Sequence, residues 1–126
     1  MSETILSPNE EAPNPRPIAV TVLAIVYIVV GAGGIVSHFG DLGSIIHVSG
    51  LGIALIGVLA IVAGVFMLRA QNWARWLAVA WIAFHVAVSA MHAWSELAIH
   101  CLFFIVIVWG LFRRGATIYF RGAQRS

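Results

Sequence analysis

The segment SGLGIALIGVLAIVAGVFMLRAQNWARWLAVAWIAFHVAVSAMH, Ser49–His92, decides the fold. It reads as two apolar runs, about 49–68 and 75–93, on either side of a link bounded by Arg69 and Arg75. Each run has close to the ~20 residues that a helix needs to cross ~30 Å of hydrocarbon. Neither shows the two-residue alternation of a barrel strand, which leaves helices as the way to satisfy every backbone N–H and C=O in lipid.

Outward from this pair, one apolar run precedes at 18–36 and one follows at 97–112. The last is short unless Ser95 and Glu96 join its first turn. Four apolar runs with short links predict an all-α protein, an antiparallel up-down four-helix transmembrane bundle. Residues 1–17 hold all four prolines and three of the five acids, a mix that predicts a disordered tail. Pro17 suits a first helical turn. No basic region leads into the first apolar run, so a cleavable signal peptide is not expected and helix 1 is read as an uncleaved signal-anchor. Residues 113–126, with Tyr119 and Phe120 among arginines, are expected to lie along the inner membrane surface.

The chain of 126 residues is 61% hydrophobic and only 10% charged, where a soluble domain carries roughly 25%. Its seven basic residues are all arginines. Arg16, Arg69, Arg75, Arg113, Arg114, Arg121 and Arg125 flank one set of helix ends, while the links 37–48 and 94–96 have none. The positive-inside rule therefore places both termini in the cytoplasm. Trp73 and Trp76 fall at the inner interface and Trp94 at the outer, as an aromatic belt requires. Arginines placed singly or in pairs at helix ends do not form a nucleic-acid stripe.

Small residues mark the packing faces. Gly50, Gly57 and Gly64 recur every seven residues, and helix 3 carries Ala80, Ala83, Ala87 and Ala90. Such stripes let backbones approach closely where no hydrophobic drive exists. They serve packing within the chain or, at helix 2 or 3, a homodimer or larger membrane complex. Gly31, Gly33 and Gly34 read either as more of the same or as a loosened last turn. Cys101, alone in the chain, reads as a small apolar residue.

Polar residues inside a span are where function is sought. At ~100° per residue, His85, Ser89, His92 and Glu96 share about 60° of one helix face, opposite the alanines. His85 falls near mid-bilayer with Ser89 one turn away as a partner for its ring N–H. His92, Glu96 and His100, with His38, Asp41 and His47 of the first outer link, form a candidate outward-facing metal set. Neutral imidazoles and carboxylates suit zinc, copper, iron or nickel, and the same groups relay protons. Affinity would then fall in acid, because ligating imidazoles must be neutral. Two facing histidines, His85 or His92 with a second, are also a haem-ligand pattern. Against these stands the plainer reading of interfacial anchors and interhelical hydrogen bonds. No metal motif such as H-E-x-x-H or C-x-x-C is present, and no nucleophile has a base at workable spacing.

The stretches RPIAVTVLAIVYIVVGAGG (Arg16–Gly34), RAQNWARWLAVAWIAFHVAVSAMH (Arg69–His92) and LFRRGATIYFR (Leu111–Arg121) resemble small uncharacterised bacterial four-helix membrane proteins with a W-A-R-W step between helices 2 and 3. The resemblance implies an inner-membrane location and brings no activity, ligand or site residue with it. The expectation is a non-enzymatic accessory or assembly subunit in the lipid bilayer. The alternatives are a His/Asp/Glu site that handles a transition metal or protons, and a haem-binding redox subunit.

Overall fold

A computed structural model describes residues 15–39 and 48–124. Residues 1–14 of the expected disordered tail, the link residues Asp41 and His47, and Arg125 lie outside these. Among the described residues every regular element is a helix: α1 (Ile18–Phe39), α2 (Val48–Leu68), α3 (Asn72–Ser89), α4 (Trp94–Phe112) and α5 (Arg114–Gly122). Stretches of α1, α2 and α4 (Ile18–His38, Gly50–Leu68 and Trp94–Phe112) are long and apolar enough to cross a membrane. α3 has 18 residues, about 27 Å of helix, and is less apolar than those three because it includes Asn72, Arg75 and His85.

The element bounds correct the sequence reading in two places. α3 starts at Asn72 and ends at Ser89, not at 75 and 93, so the W-A-R-W step is helical and His92 lies in the following turn. α4 takes in Trp94, Ser95 and Glu96, which gives it full spanning length and places Glu96 in its first turn, where a carboxylate favours the helix dipole. The α2–α3 link shrinks to 69–71 because α2 closes tightly. The N–H of Ala70 bonds to Met67 O at 3.1 Å and that of Gln71 to Phe66 O at 3.0 Å, with Ala70 left-handed at φ 56°. This is the Schellman pattern, here built on alanine where glycine is usual.

The glycines of α2 close a seam with α1, inside one chain. A Cβ on Gly57 would stand 2.9 Å from Gly31 O and 2.7 Å from Ile35 Cγ1, and one on Gly64 would stand 2.6 Å from Ala24 O. Gly31 belongs to this seam too and does not loosen a helix end, whereas nothing lies within 4 Å of a Cβ on Gly33 or Gly34. Gly50 is buried as well. The helix 3 alanines behave differently. Ala80, Ala83, Ala87 and Ala90 are all exposed, so Ala83, Ala87 and Ala90 do not form a buried seam among the described residues. α3 turns its hydrogen-bonding face inward instead, burying Ala74, Ala78, Ile82 and Ser89. The reason is energetic: a ring N–H or hydroxyl facing hydrocarbon has no partner, while an alanine there loses little.

The helix ends that carry arginine form a basic end. Leu68 O, a terminal carbonyl of α2, accepts from Arg16 Nη2 at 2.8 Å and from the Tyr119 hydroxyl at 3.0 Å. Arg16 Nε also donates to the Tyr119 oxygen at 3.1 Å. Arg113, extended at ψ 156°, breaks α4 from α5. The short α5 then folds back with Ala116 and Phe120 fully buried.

Candidate functional site

Two tight interhelical hydrogen bonds frame the centre of the molecule. The Tyr27 hydroxyl of α1 donates to Ala78 O of α3 at 2.7 Å, and Trp81 Nε1 of α3 donates to Ile56 O of α2 at 2.9 Å. The two rings meet at 5.2 Å between centroids. Both bonds spend a side-chain donor on a carbonyl of another helix, which in an apolar setting fixes the helix positions. The sequence reading gave neither residue a role. The available signal was that Tyr and Trp in mid-span carry polar atoms that need a partner.

Beside this frame lies a cleft of about 320 Å³ in the half of the helices away from the basic end. Its walls come from α1, α2, α3 and α4, including Tyr27, Ile56, Trp81, His85, His100 and Phe103. Val26 and Val30 of α1 and Phe103 of α4 line it and are each about half exposed. The cleft thus opens sideways between α1 and α4.

His85 stacks on Trp81 at 3.9 Å between ring centroids and lies 6.0 Å from His100, with 29° between the two imidazole planes. His85 Nδ1 is 2.9 Å from Trp81 O, and His100 Nδ1 is 2.8 Å from Glu96 O. A carbonyl only accepts, so each Nδ1 carries the proton. Ser89 Oγ, 2.8 Å from His100 Nδ1, shares that same proton as a second acceptor. Ser89 therefore serves His100 on the neighbouring helix and not His85.

Every side-chain donor that borders the cleft among the described residues is thus committed. Trp81 N–H, Tyr27 O–H and both imidazole Nδ1–H groups end on protein oxygens. What remains are acceptors: the second nitrogen of each neutral imidazole and the free lone pairs of the Tyr27 oxygen.

The residues of the proposed metal set are placed as follows. His92 is exposed, with its Nδ1 2.9 Å from Val88 O, and Glu96 is exposed. His100 faces His85 and Ser89. His38 is half-buried with Nδ1 lacking a partner among the described residues. Among the described residues no three His, Cys, Asp or Glu side chains converge into a group that could hold a metal ion. Asp41 and His47 lie outside them. Of the haem pairings, the structure juxtaposes His85 with His100. Cys101 is half-buried and free.

At the basic end Arg75 stands out, with 5% of its surface exposed. Its guanidinium carbon sits 4.7 Å from the centre of the Phe112 ring, 5.7 Å from that of Phe120 and 6.0 Å from that of Trp76. Cation–π contacts of about 0.5–2 kcal/mol each offset only part of the several kcal/mol that removing such a cation from water costs. The sequence reading treated Arg75 as an exposed flanking anchor. The correction comes from α5, which covers it.

The comparisons with known proteins lend no support to the resemblance drawn from Arg16–Arg121. No family model matches the chain, and no curated protein or solved structure matches it either.

Proposed function

We propose that this is a four-span protein of the bacterial inner membrane, an antiparallel bundle with both termini cytoplasmic, that acts by binding and not by catalysis. In this reading it is an accessory subunit whose cleft holds a lipophilic molecule bearing a hydroxyl group. One observation carries the proposal: an apolar cleft with a sideways mouth, in which the donors are spent and imidazole acceptors remain. A ligand with an O–H satisfies His85 or His100, and its apolar body fills the volume beside Trp81. The exposed face of Ala80, Ala83, Ala87 and Ala90 supports an accessory role, since small residues suit contact with a second copy or a larger membrane complex.

The test is a titration of the detergent-purified protein with a lipophilic phenol or quinol and with its methyl ether, followed by tryptophan fluorescence. Trp81→Phe identifies the reporting ring. The hydroxyl form should bind about fivefold more tightly, the worth of one ordinary hydrogen bond. Equal affinity for the ether, or binding of neither, overturns the reading.

A transition-metal or proton-handling role is the second reading. It is favoured by the Nδ1–H···O=C bonds of His85, His92 and His100, the arrangement that orients ligating imidazoles. Stoichiometric zinc or copper in the purified protein would select it.

A further inference from the structure

Arg75 is buried with two donor nitrogens, Nε and Nη1, that no acceptor among the described residues satisfies. Arg121 adds positive charge beside it, and Arg16, Arg69, Arg113 and Arg114 crowd the same end of the helices. Among the described residues no carboxylate answers them there: Glu96, the single acid of that set, sits in the first turn of α4, whereas Phe112 beside Arg75 is in its last. Sixteen residues of helix, about 24 Å, separate the two. A buried guanidinium among like charges, with part of its donor fork unfilled, is the half of an ion pair whose other half the described residues do not supply.

We infer that Arg75 anchors a phosphate-binding site at the inner membrane surface, and that its ligand is the phosphodiester of an anionic phospholipid. Phosphate fits because its oxygens take the two N–H groups on one edge of a guanidinium together, Nη2 with either Nε or Nη1, and arginine matches that geometry where lysine does not. The lipid source follows from the neighbours. Trp76 is exposed and Phe112 half-buried on the outer surface of the helices, so a ligand arriving there meets aromatic surface beside the cation and carries hydrocarbon with its charge. Phe120 is the ring that must turn for an anion to reach Nε. It rides on α5, which the extended Arg113 separates from α4. The choice of leaflet rests on the topology proposed above, whereas the site does not, because binding in detergent has no leaflet.

The experiment uses the full chain in detergent, with phosphatidylglycerol, phosphatidylcholine or inorganic phosphate added. Lipid retention is read by native mass spectrometry and protection by the thermal unfolding midpoint. Wild type should retain phosphatidylglycerol in preference to phosphatidylcholine and gain thermal stability from it. Arg75→Met should weaken that retention by about tenfold or more, the worth of a charge-assisted hydrogen bond, while Arg114→Gln, at an exposed position, keeps it. Arg75→Lys, which holds the charge without the fork, should fall between and serves if Arg75→Met does not fold. Equal retention of the two lipids by wild type overturns the site, as does wild-type retention by Arg75→Lys and Arg75→Met. Inorganic phosphate protecting as well as the lipid does would overturn the lipid assignment.

Discussion

At the scale of single residues, the space around each glycine decides its worth. Gly57 has none to spare: a methyl there would meet Gly31 O at 2.9 Å and Ile35 Cγ1 at 2.7 Å. Backbone cannot step aside as a flexible side chain can, so Gly57→Ala should destabilise by about 1–3 kcal/mol. Gly33, with nothing within 4 Å, should give the opposite sign. Gly33→Ala removes the helix penalty of glycine and should add about 0.5–1 kcal/mol. Unfolding of both variants in the same detergent checks the pair, and equal stabilities would remove the seam from the account. Ala70 presents the converse case. It holds φ 56° at the end of α2, where an L-residue pays roughly 1–2 kcal/mol and glycine recovers most of that after its own entropy loss. Ala70→Gly should therefore raise stability by about 0.5–1 kcal/mol, visible as a higher unfolding midpoint.

At the scale of elements, α5 is the piece that local pattern describes least completely. Tyr119 and Phe120 among arginines set residues 113–126 apart from the apolar runs, and that break, at Arg113, was legible. Which residues α5 would cover was not, because docking depends on where Leu68 and Phe112 end their helices and on Arg113 breaking the chain between α4 and α5. Arg75 was misread for the same reason: an arginine next to a tryptophan at a span end has the local look of an exposed anchor. The alanines of α3 misled in another way. Small residues permit close packing without requiring it, and the donors of Trp81 and Tyr27 outweighed them in choosing the inner face. The glycines of α2 were legible because no other arrangement accommodates both Gly57 and Gly64 so tightly. Docking of α5 is testable through the hydroxyl of Tyr119, which reaches Leu68 O at 3.0 Å. Tyr119→Phe should loosen α5 by about 0.5–1.5 kcal/mol, read as faster amide exchange over residues 114–122 with α1 and α2 unchanged.

At the scale of the whole molecule, charge sets direction and hydrogen bonding sets position. The described arginines gather at one end, and the described carboxylate, Glu96, lies at the other. That asymmetry predicts that a phosphatase fused after residue 42 is active and one fused after residue 72 is not. The reverse pattern would invert the proposed topology and move Arg75 to the outer leaflet. The histidine reading was half legible. His85, Ser89 and His100 all belong to the interior face, but the pairing of His100 with Ser89 needs the α3–α4 turn to begin at Ala90, four residues earlier than periodicity placed it. His92, left on that turn, lost the company that the sequence had suggested for it.

The seam between α1 and α2 also bears on the order in which the protein is made. Ala24, Gly31, Ile35, Gly57 and Gly64, which close it, are all synthesised before the first residue of α3. A nascent chain ending at Leu68 therefore already holds a self-packed helical hairpin, and α3 arrives at a finished surface offering the Ile56 carbonyl to Trp81. Ribosome-bound chains stalled with α2 clear of the exit tunnel, with a photocrosslinking residue in place of Ile35, whose side chain lies against Gly57, should crosslink α1 to α2 before α3 has left the ribosome. A crosslink that forms only once the full chain is released would mean that the four helices assemble together.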